Sequence, residues 1–220
     1  MKKASITWLA GLAAMVLSSL AAATPIGAPE EQYWARWGQI TDTDSFNDNA
    51  HFLLAFEYAG WHNQNAFGIY DINDPSNRLE IFSGRDRGLN LGGLSVTELS
   101  YDTSTGSATN ETTGATINVG TTFGFYLENN QGLLFSDQDL NGGHDYVQMY
   151  DDNFSPFGFD LVLAWEDIPA DYGNGGDWDY NDMIIGIYDV VGVPAPGTLA
   201  VFGLGLLGVV AFSRRRKAAV

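Results

Sequence analysis

The hydrophobic and polar positions divide the chain into an apolar run near each end and a middle part with the pattern of β structure. In the middle part, short apolar stretches are separated by turns rich in Gly, Asn and Asp, and no long stretch follows the 3.6-residue period of a helix. This pattern predicts an all-β domain, a jelly-roll-like β-sandwich. The candidate strands are residues 51–58, 66–70, 78–82, 121–127, 132–135, 145–150, 159–165 and 183–191, with weaker candidates at 96–100 and 115–119.

Two polar segments between these strands are predicted to be loops. Residues 128–131 are flanked by apolar stretches and are typical of a hairpin loop. Residues 102–113 are rich in Ser, Thr and Gly, and we expect a mobile surface loop there.

The N-terminal apolar run predicts a secretory signal peptide over residues 1–23. A basic start is followed by the mostly apolar stretch Ile6–Leu20 and then by Ala21 and Ala23, whose small side chains suit signal peptidase. The alternative is a buried N-terminal helix, but the basic start and the small residues occur together as they do in export signals.

The C-terminal apolar run predicts a single membrane helix within residues 193–220. The stretch Leu199–Phe212 is short for a span of about 20 residues, and the preceding Pro-Ala-Pro-Gly segment brings it near the lower limit. The cluster Arg214, Arg215, Arg216 and Lys217 follows and is expected to stay in the cytoplasm by the positive-inside rule.

Between these ends, residues 24–192 are long enough for one domain, and that domain is strongly acidic. All 27 Asp and Glu residues fall in it, against four arginines and no lysine. This charge argues against binding to nucleic acid or to anionic membranes, and bound divalent cations would offset the self-repulsion. A solvated acidic surface is the alternative. The chain has no cysteine, which excludes thiol catalysis and Cys-ligated zinc.

The first candidate metal site is the loop 137–145. Its oxygen-bearing side chains alternate before two glycines, a spacing that resembles the start of a calcium-binding loop. The flanking segments are predicted strands, so we expect an analogue of the helical hand motif at most. An Asx-rich turn is an equally good interpretation. The candidate ligands are Asp137, Asp139, Asn141 and Asp145.

The second candidate metal site lies between the last two predicted strands. Carboxylates crowd this segment, and such crowding is costly unless a cation is bound. In an extended chain Asp177, Asp179 and Asn181 would face one way. The alternative is a loop whose side chains cap backbone amides. The candidate ligands, predicted for calcium, are Glu166, Asp167, Asp177, Asp179, Asn181 and Asp182.

The sequence predicts that the protein is not an enzyme. It has three histidines and no Gly-x-Ser-x-Gly motif. Glu166 and Asp167 are adjacent, so in a strand they would point to opposite faces, although a hydrolase with a more distant partner stays open. Exposed Trp61, Trp165 and Trp178 could stack on sugars, while core packing is the commoner use of tryptophan.

The C-terminal segment resembles the PEP-CTERM sorting signal. The matching residues are Pro194, Ala195, Pro196, Gly197, Arg214, Arg215 and Arg216, with the Gly-rich apolar run between them. The usual motif reads Pro-Glu-Pro, so Ala195 is a departure. The resemblance implies processing by an exosortase, a transient inner-membrane anchor, and delivery to the cell surface or extracellular matrix of a Gram-negative bacterium.

The segment Phe159–Ile187 resembles an uncharacterised exported domain family with an Asp-x-Asp-Tyr-Asn-Asp motif (domain of unknown function 4114). The matching upstream positions are Ala59, Gly60, Asn65 and Phe67–Asp71. The matching acidic-segment residues are Glu166, Asp167, Asp177, Asp179, Tyr180, Asn181 and Asp182. The resemblance implies a module similar to those of calcium-rich adhesin-like proteins.

Together these observations predict an exported, calcium-stabilised β-sandwich with a structural or adhesive role in a biofilm or exopolysaccharide matrix. Its expected partners are signal peptidase and exosortase during export, and the exopolysaccharide itself. The alternative is a carbohydrate-binding module for that polymer, and a weaker alternative is a matrix glycoside hydrolase.

Overall fold

A computed structural model describes residues 36–40, 47–58, 64–151, 158–170 and 176–193. The predicted signal peptide and C-terminal membrane helix lie outside these residues. Within them, no helix has the length and hydrophobicity needed to cross a membrane.

The described residues form thirteen strands and two short 3-10 helices, Leu89–Leu91 and Gln138–Asn141. The strands are β1 Trp37–Ile40, β2 Asn47–Glu57, β3 Ala66–Asp71, β4 Asp74–Phe82, β5 Val96–Asp102, β6 Ser107–Asn110, β7 Thr116–Asn118, β8 Phe123–Asn129, β9 Gly132–Phe135, β10 Val147–Asp151, β11 Leu161–Trp165, β12 Met183–Tyr188 and β13 Val190–Val193.

These strands form two antiparallel sheets, which confirms the all-β prediction. The seven-stranded sheet has the order β10-β11-β12-β2-β5-β6-β7, and the six-stranded sheet has the order β13-β1-β8-β3-β4, with β9 paired to β8. The sheets face one another. The ring of Phe67 in the six-stranded sheet lies 6.2 Å from that of Phe52 and 6.3 Å from that of Trp165 in the other sheet. The jelly-roll-like strand path stays a prediction.

The central strands of the seven-stranded sheet are buried on both faces. Every residue of β11 is buried, and one face of the strand contributes to the core between the sheets. The other face belongs to a second apolar cluster that includes Phe56, Phe159 and Ile184. Two buried faces explain why β11 and β12 have continuous apolar sequences instead of the alternation of a half-exposed strand.

The prediction of a mobile loop over residues 102–113 is wrong, because β6 lies within it and pairs with both β5 and β7. Side chains hold the turns. Asp102 Oδ1 accepts the N–H groups of Ser104 and Thr105, and Gly106 has φ 74°. Asn110 is buried and donates to the carbonyl of Glu80 at 2.8 Å. Polar composition here reflects side chains that cap the turns of an ordered hairpin.

The last strand extends one residue into the predicted sorting segment. β13 includes Val193, which pairs with Trp37 of β1. The sheet therefore continues up to the residue immediately before Pro194.

Replacing Gly68 with alanine is expected to destabilise the protein by about 1–3 kcal/mol, because the added methyl overpacks a filled site. Its Cβ would lie 2.1 Å from the carbonyl oxygen of Leu79 and 2.7 Å from the ring of Tyr126. Urea unfolding measures the change. The matched control is Gly132→Ala, whose Cβ would meet only Pro169 at 3.5 Å. Equal free energies of unfolding for the two variants would contradict the close approach at Gly68.

Candidate metal centre

The acidic residues of the second candidate site meet at one edge of the seven-stranded sheet. Glu166 and Asp167 follow the end of β11, and Asp182 immediately precedes β12. The two strands are antiparallel, with Trp165 paired to Met183, so the end of one lies beside the start of the other. The sequence-distant halves of the segment are thereby brought together.

Five carboxylates form two groups that share Glu166. Glu166, Asp167 and Asp182 make one group, and Glu166, Asp177 and Asp179 make the other; within each, ligand oxygens lie within 4.8 Å of one another. The strand β11 ends at Trp165, as the predicted bounds 159–165 indicate, so the alternation of side chains along a strand does not separate Glu166 from Asp167. The site runs from Glu166 and Asp167, which are 0% and 2% exposed, to the exposed Asp177.

Glu166 occupies the centre of this arrangement with one oxygen bonded and one unsatisfied. Its Oε2 accepts the N–H of Trp178 at 2.9 Å. Its Oε1 is buried and has no hydrogen-bond partner in the described part of the chain. Gly176 makes room for it, because a Cβ there would lie 2.0 Å from Oε1. A buried unsatisfied carboxylate oxygen is costly and is a position where a bound cation would be expected.

Asp167 and Asp182 are held by each other and by amide side chains. The N–H of Asp167 donates to Asp182 Oδ2 at 3.0 Å, and Asn65 Nδ2 donates to Asp167 Oδ2 at 2.9 Å. Asn129, at the end of β8, donates to both Asn65 Oδ1 and the Asp167 carbonyl. Because β8 belongs to the six-stranded sheet, this chain of hydrogen bonds connects the site to both sheets.

The sequence interpretation assumed an extended backbone before β12, but the backbone there is not extended. Trp178 and Tyr180 have φ values of 58° and 54°, a left-handed conformation that is uncommon for residues other than glycine. Asp177 and Asp179 nevertheless join Glu166. Asn181 was predicted to be a ligand. It instead donates its backbone and side-chain N–H groups to Asp179 and so orients the carboxylate of that residue.

The electrostatics of the site favour either protonation or a bound cation. Burial raises the pKa of Glu166, against the opposing effect of the Trp178 N–H. Burial also raises the pKa of Asp182, and the neighbouring Asp167 raises it further. The ion pairs of the described residues involve Arg36, His51 and Arg78, and none of them includes these five carboxylates. An all-oxygen donor set of this charge fits calcium or magnesium.

The first candidate loop, 137–145, has the hydrogen bonds of a capped turn. Asp137 accepts the N–H of Asp139 and forms an ion pair with Arg36 at 2.9 Å. Asn141 bonds the backbone of Phe135 in both directions, with its Oδ1 accepting the N–H and its Nδ2 donating to the carbonyl. These groups already have partners, as in the Asx-rich turn alternative, and a calcium ion here stays a prediction.

Asp145, the last predicted ligand of that loop, belongs to neither of the two carboxylate groups. Burial raises its pKa, and the N–H of Val147 and the charge of Arg36 lower it. Its carbonyl accepts the hydroxyl of Tyr180 at 3.0 Å. The residue thus connects the first loop to the second through its backbone.

Glu57 is a buried carboxylate that the sequence did not single out. It is 2% exposed, and neither carboxylate oxygen has a hydrogen-bond partner among the described residues. Burial raises its pKa to about 8; Arg87 acts in the opposite direction, and Asp167 and Asp86 add to the increase. The residue ends the apolar strand β2, whose pattern gave no sign of a buried charge.

Three tryptophans were proposed to stack on sugars. Trp165 is fully buried in the core, so the prediction that it is exposed and available to a sugar is wrong. Trp178 is 38% exposed. Trp61 lies outside the described residues.

Replacing Glu57 with glutamine is expected to flatten the pH dependence of stability in EDTA. Because its folded pKa of about 8 exceeds the ordinary 4.5, the native state binds more protons, and the free energy of unfolding falls as pH rises between these values. The slope lost in the variant is at most about 1.4 kcal/mol per pH unit. Urea unfolding from pH 5 to 8 measures it, with Glu111→Gln as an exposed control. Parallel curves for wild type and Glu57→Gln would disprove the assignment.

Comparison with known protein families identifies a motif at the C-terminal end of the chain. Residues 192–217 match the PEP-CTERM protein-sorting motif. No curated protein and no solved structure matches the chain. The match confirms the prediction of a sorting signal at the C-terminal end of the chain. The chain therefore carries a PEP-CTERM sorting signal, which implies an exported protein that is processed by an exosortase and anchored transiently in the membrane.

Proposed function

We propose that this protein is an exported, calcium-binding structural component of the cell surface or the exopolysaccharide matrix, and that it is not an enzyme. The single observation that carries the calcium site is the buried, unpartnered Oε1 of Glu166, which lies at the junction of two carboxylate groups. The sorting motif supports the exported location.

A calcium ion would stabilise the fold by joining segments that are far apart in sequence. Glu166 follows β11, while Asp177 and Asp179 precede β12. An ion bound by these three carboxylates would offset their mutual repulsion and hold the strained backbone around Trp178 in place. Calcium accepts six to eight oxygens in a flexible shell, which suits carboxylates from an irregular loop better than the strict octahedron of magnesium.

The geometry favours metal binding over glycoside hydrolysis. A hydrolase needs two carboxyl groups about 5–10 Å apart, with room for the sugar between them. Here the ligand oxygens of each group lie within 4.8 Å, and Glu166 and Asp167 are buried. These carboxylates are close enough to share one ion and too enclosed to flank a glycosidic bond.

The contacts also give a physical reason for the Asp-x-Asp-Tyr-Asn-Asp motif, and we include membership of that uncharacterised exported domain family in the proposal. Asp177 and Asp179 reach Glu166, and Asp182 reaches Asp167. Tyr180 donates to the carbonyl of Asp145. Asn181 orients Asp179. The acidic and amide positions of the motif therefore support the same site, while Tyr180 connects this segment to the first loop.

Calcium is expected to raise the melting temperature of the EDTA-treated protein. At a calcium concentration about 100 times Kd, binding adds about 2.7 kcal/mol, and each kcal/mol corresponds to about 2–4 °C for a domain of this size. Differential scanning calorimetry measures the shift. Glu166→Gln is expected to abolish the shift, and it should not lower the calcium-free melting temperature, because it removes a buried charge.

The matched control is Asp139→Asn in the first loop, which should keep the full calcium shift because Asp139 is in neither carboxylate group. A shift that persists in Glu166→Gln but disappears in Asp139→Asn would move the site to residues 137–145. No shift in the wild type at millimolar calcium would refute the calcium proposal.

Removal of the C-terminal tail is expected in a host that has an exosortase. Intact-mass spectrometry of the surface fraction should show a chain that ends near the Pro194-Ala195-Pro196 segment. The same protein from an exosortase-deletion strain should retain Arg214–Arg216. A full-length C-terminus in the wild-type surface fraction would show that Ala195 prevents processing.

A further inference from the structure

We propose that Trp178 and the ion held by Glu166, Asp177 and Asp179 together form a subsite for a neutral polysaccharide with adjacent ring hydroxyls. The inference rests on the proposed calcium site and adds the ligand class that the site would bind. Its basis is an exposed indole ring, an aromatic ring that supports it, and carboxylates on the residues immediately before and after Trp178 in sequence.

Trp178 is a supported flat surface. Its ring is stacked on that of Tyr146, with centroids 5.5 Å apart and planes 22° apart. Tyr146 is itself buried, and its hydroxyl accepts the N–H of Ala170 at 2.8 Å. The rings of His144 and Tyr180 lie 6.3 Å and 6.4 Å from the indole. The indole therefore packs on a buried ring, with two further rings nearby, while 38% of the residue is exposed.

The backbone holds this ring at the surface at a cost. Trp178 has φ 58°, a conformation that bulky residues rarely adopt, and it leaves a large apolar side chain partly in water. Strain of this kind is concentrated at functional sites and persists where the surroundings enforce it. Its N–H bond to Glu166 provides that enforcement. The same hydrogen bond couples the position of the indole to the central carboxylate.

The backbone of Trp178 lies directly beside the proposed ion site. Its N–H donates to Glu166 Oε2 at 2.9 Å, and its neighbours in sequence, Asp177 and Asp179, both group with Glu166. The indole is therefore attached within one side-chain length of the ion, so that one sugar could contact both. Calcium takes six to eight oxygens, so three carboxylates leave coordination positions open, and Asp177 marks the exposed side. Two adjacent hydroxyls can supply oxygens there while the apolar face of the sugar ring covers the indole.

The charge of the domain selects against acidic polymers. Its carboxylates outnumber its four arginines several-fold, and the ion pairs of the described residues do not reach this site. A polyanion would be repelled over most of the surface, whereas a neutral polymer would not. A neutral polysaccharide is therefore the expected ligand class.

Affinity gel electrophoresis tests the subsite with three neutral polymers, dextran, starch and galactomannan, and with alginate as the acidic comparison. The wild-type protein should be retarded by at least one neutral polymer in calcium and by none in EDTA. Trp178→Ala should reduce the association constant at least tenfold while keeping the calcium-induced rise in melting temperature. Val96→Ala, which removes an exposed apolar side chain on β5, should change neither property.

The outcomes separate this proposal from the calcium site. A calcium shift without retardation by any neutral polymer overturns the subsite and leaves the metal site standing. Retardation that persists in EDTA, or in a Trp178→Ala protein that still responds to calcium, also overturns it. Retardation by alginate alone overturns the choice of a neutral ligand. Absence of the calcium shift refutes the metal site on which the subsite depends.

Discussion

The structure at the edge where β11 ends and β12 begins depends on one constraint: a buried carboxylate, that of Glu166, is surrounded by other carboxylates. Glu166 is withdrawn from water, shares its surroundings with four further acidic side chains, and has one oxygen without a partner in the described part of the chain. Burial of this kind is tolerated when protons or cations compensate for it. Burial raises the pKa values of Glu166 and Asp182, which favours their protonated forms when no ion is present.

Several local features follow from placing Glu166 there. Gly176 has no side chain because that space holds the Glu166 carboxylate. The left-handed backbone at Trp178 directs an N–H to Oε2. The hydrogen bonds from Asn129 through Asn65 to Asp167 then extend the arrangement to the opposite sheet. The same group of carboxylates thus accounts for the backbone conformation at Trp178, the glycine at position 176 and the hydrogen bonds between the two sheets at this edge.

The sequence predicted a structural feature correctly where that feature depends on the residues of one short segment. Apolar runs between turn residues identified most strands, and charge density identified the acidic segment before β12. It was less informative where the outcome depended on pairing across the sheets. Glu57 looked like the end of an apolar strand, and its burial arises from neighbours that are distant in sequence. The role of Asn129 requires knowing that β8 ends beside β11.

One expectation failed because of a property that composition does not report. The segment 102–113 was predicted to be a loop from its polar composition, yet Asn110 is buried and donates to the backbone of β4. A polar side chain that satisfies a backbone group belongs to an ordered strand here, and composition alone does not distinguish it from a polar side chain in a mobile loop.

The position of β13 has a consequence for maturation. This strand is at the edge of its sheet, paired to β1 alone, and its last residue, Val193, immediately precedes Pro194. The matched sorting motif begins at residue 192, so its first two residues belong to this strand. Because they are paired with β1, the edge strand has to fray before these residues can be bound in an extended form by any processing enzyme.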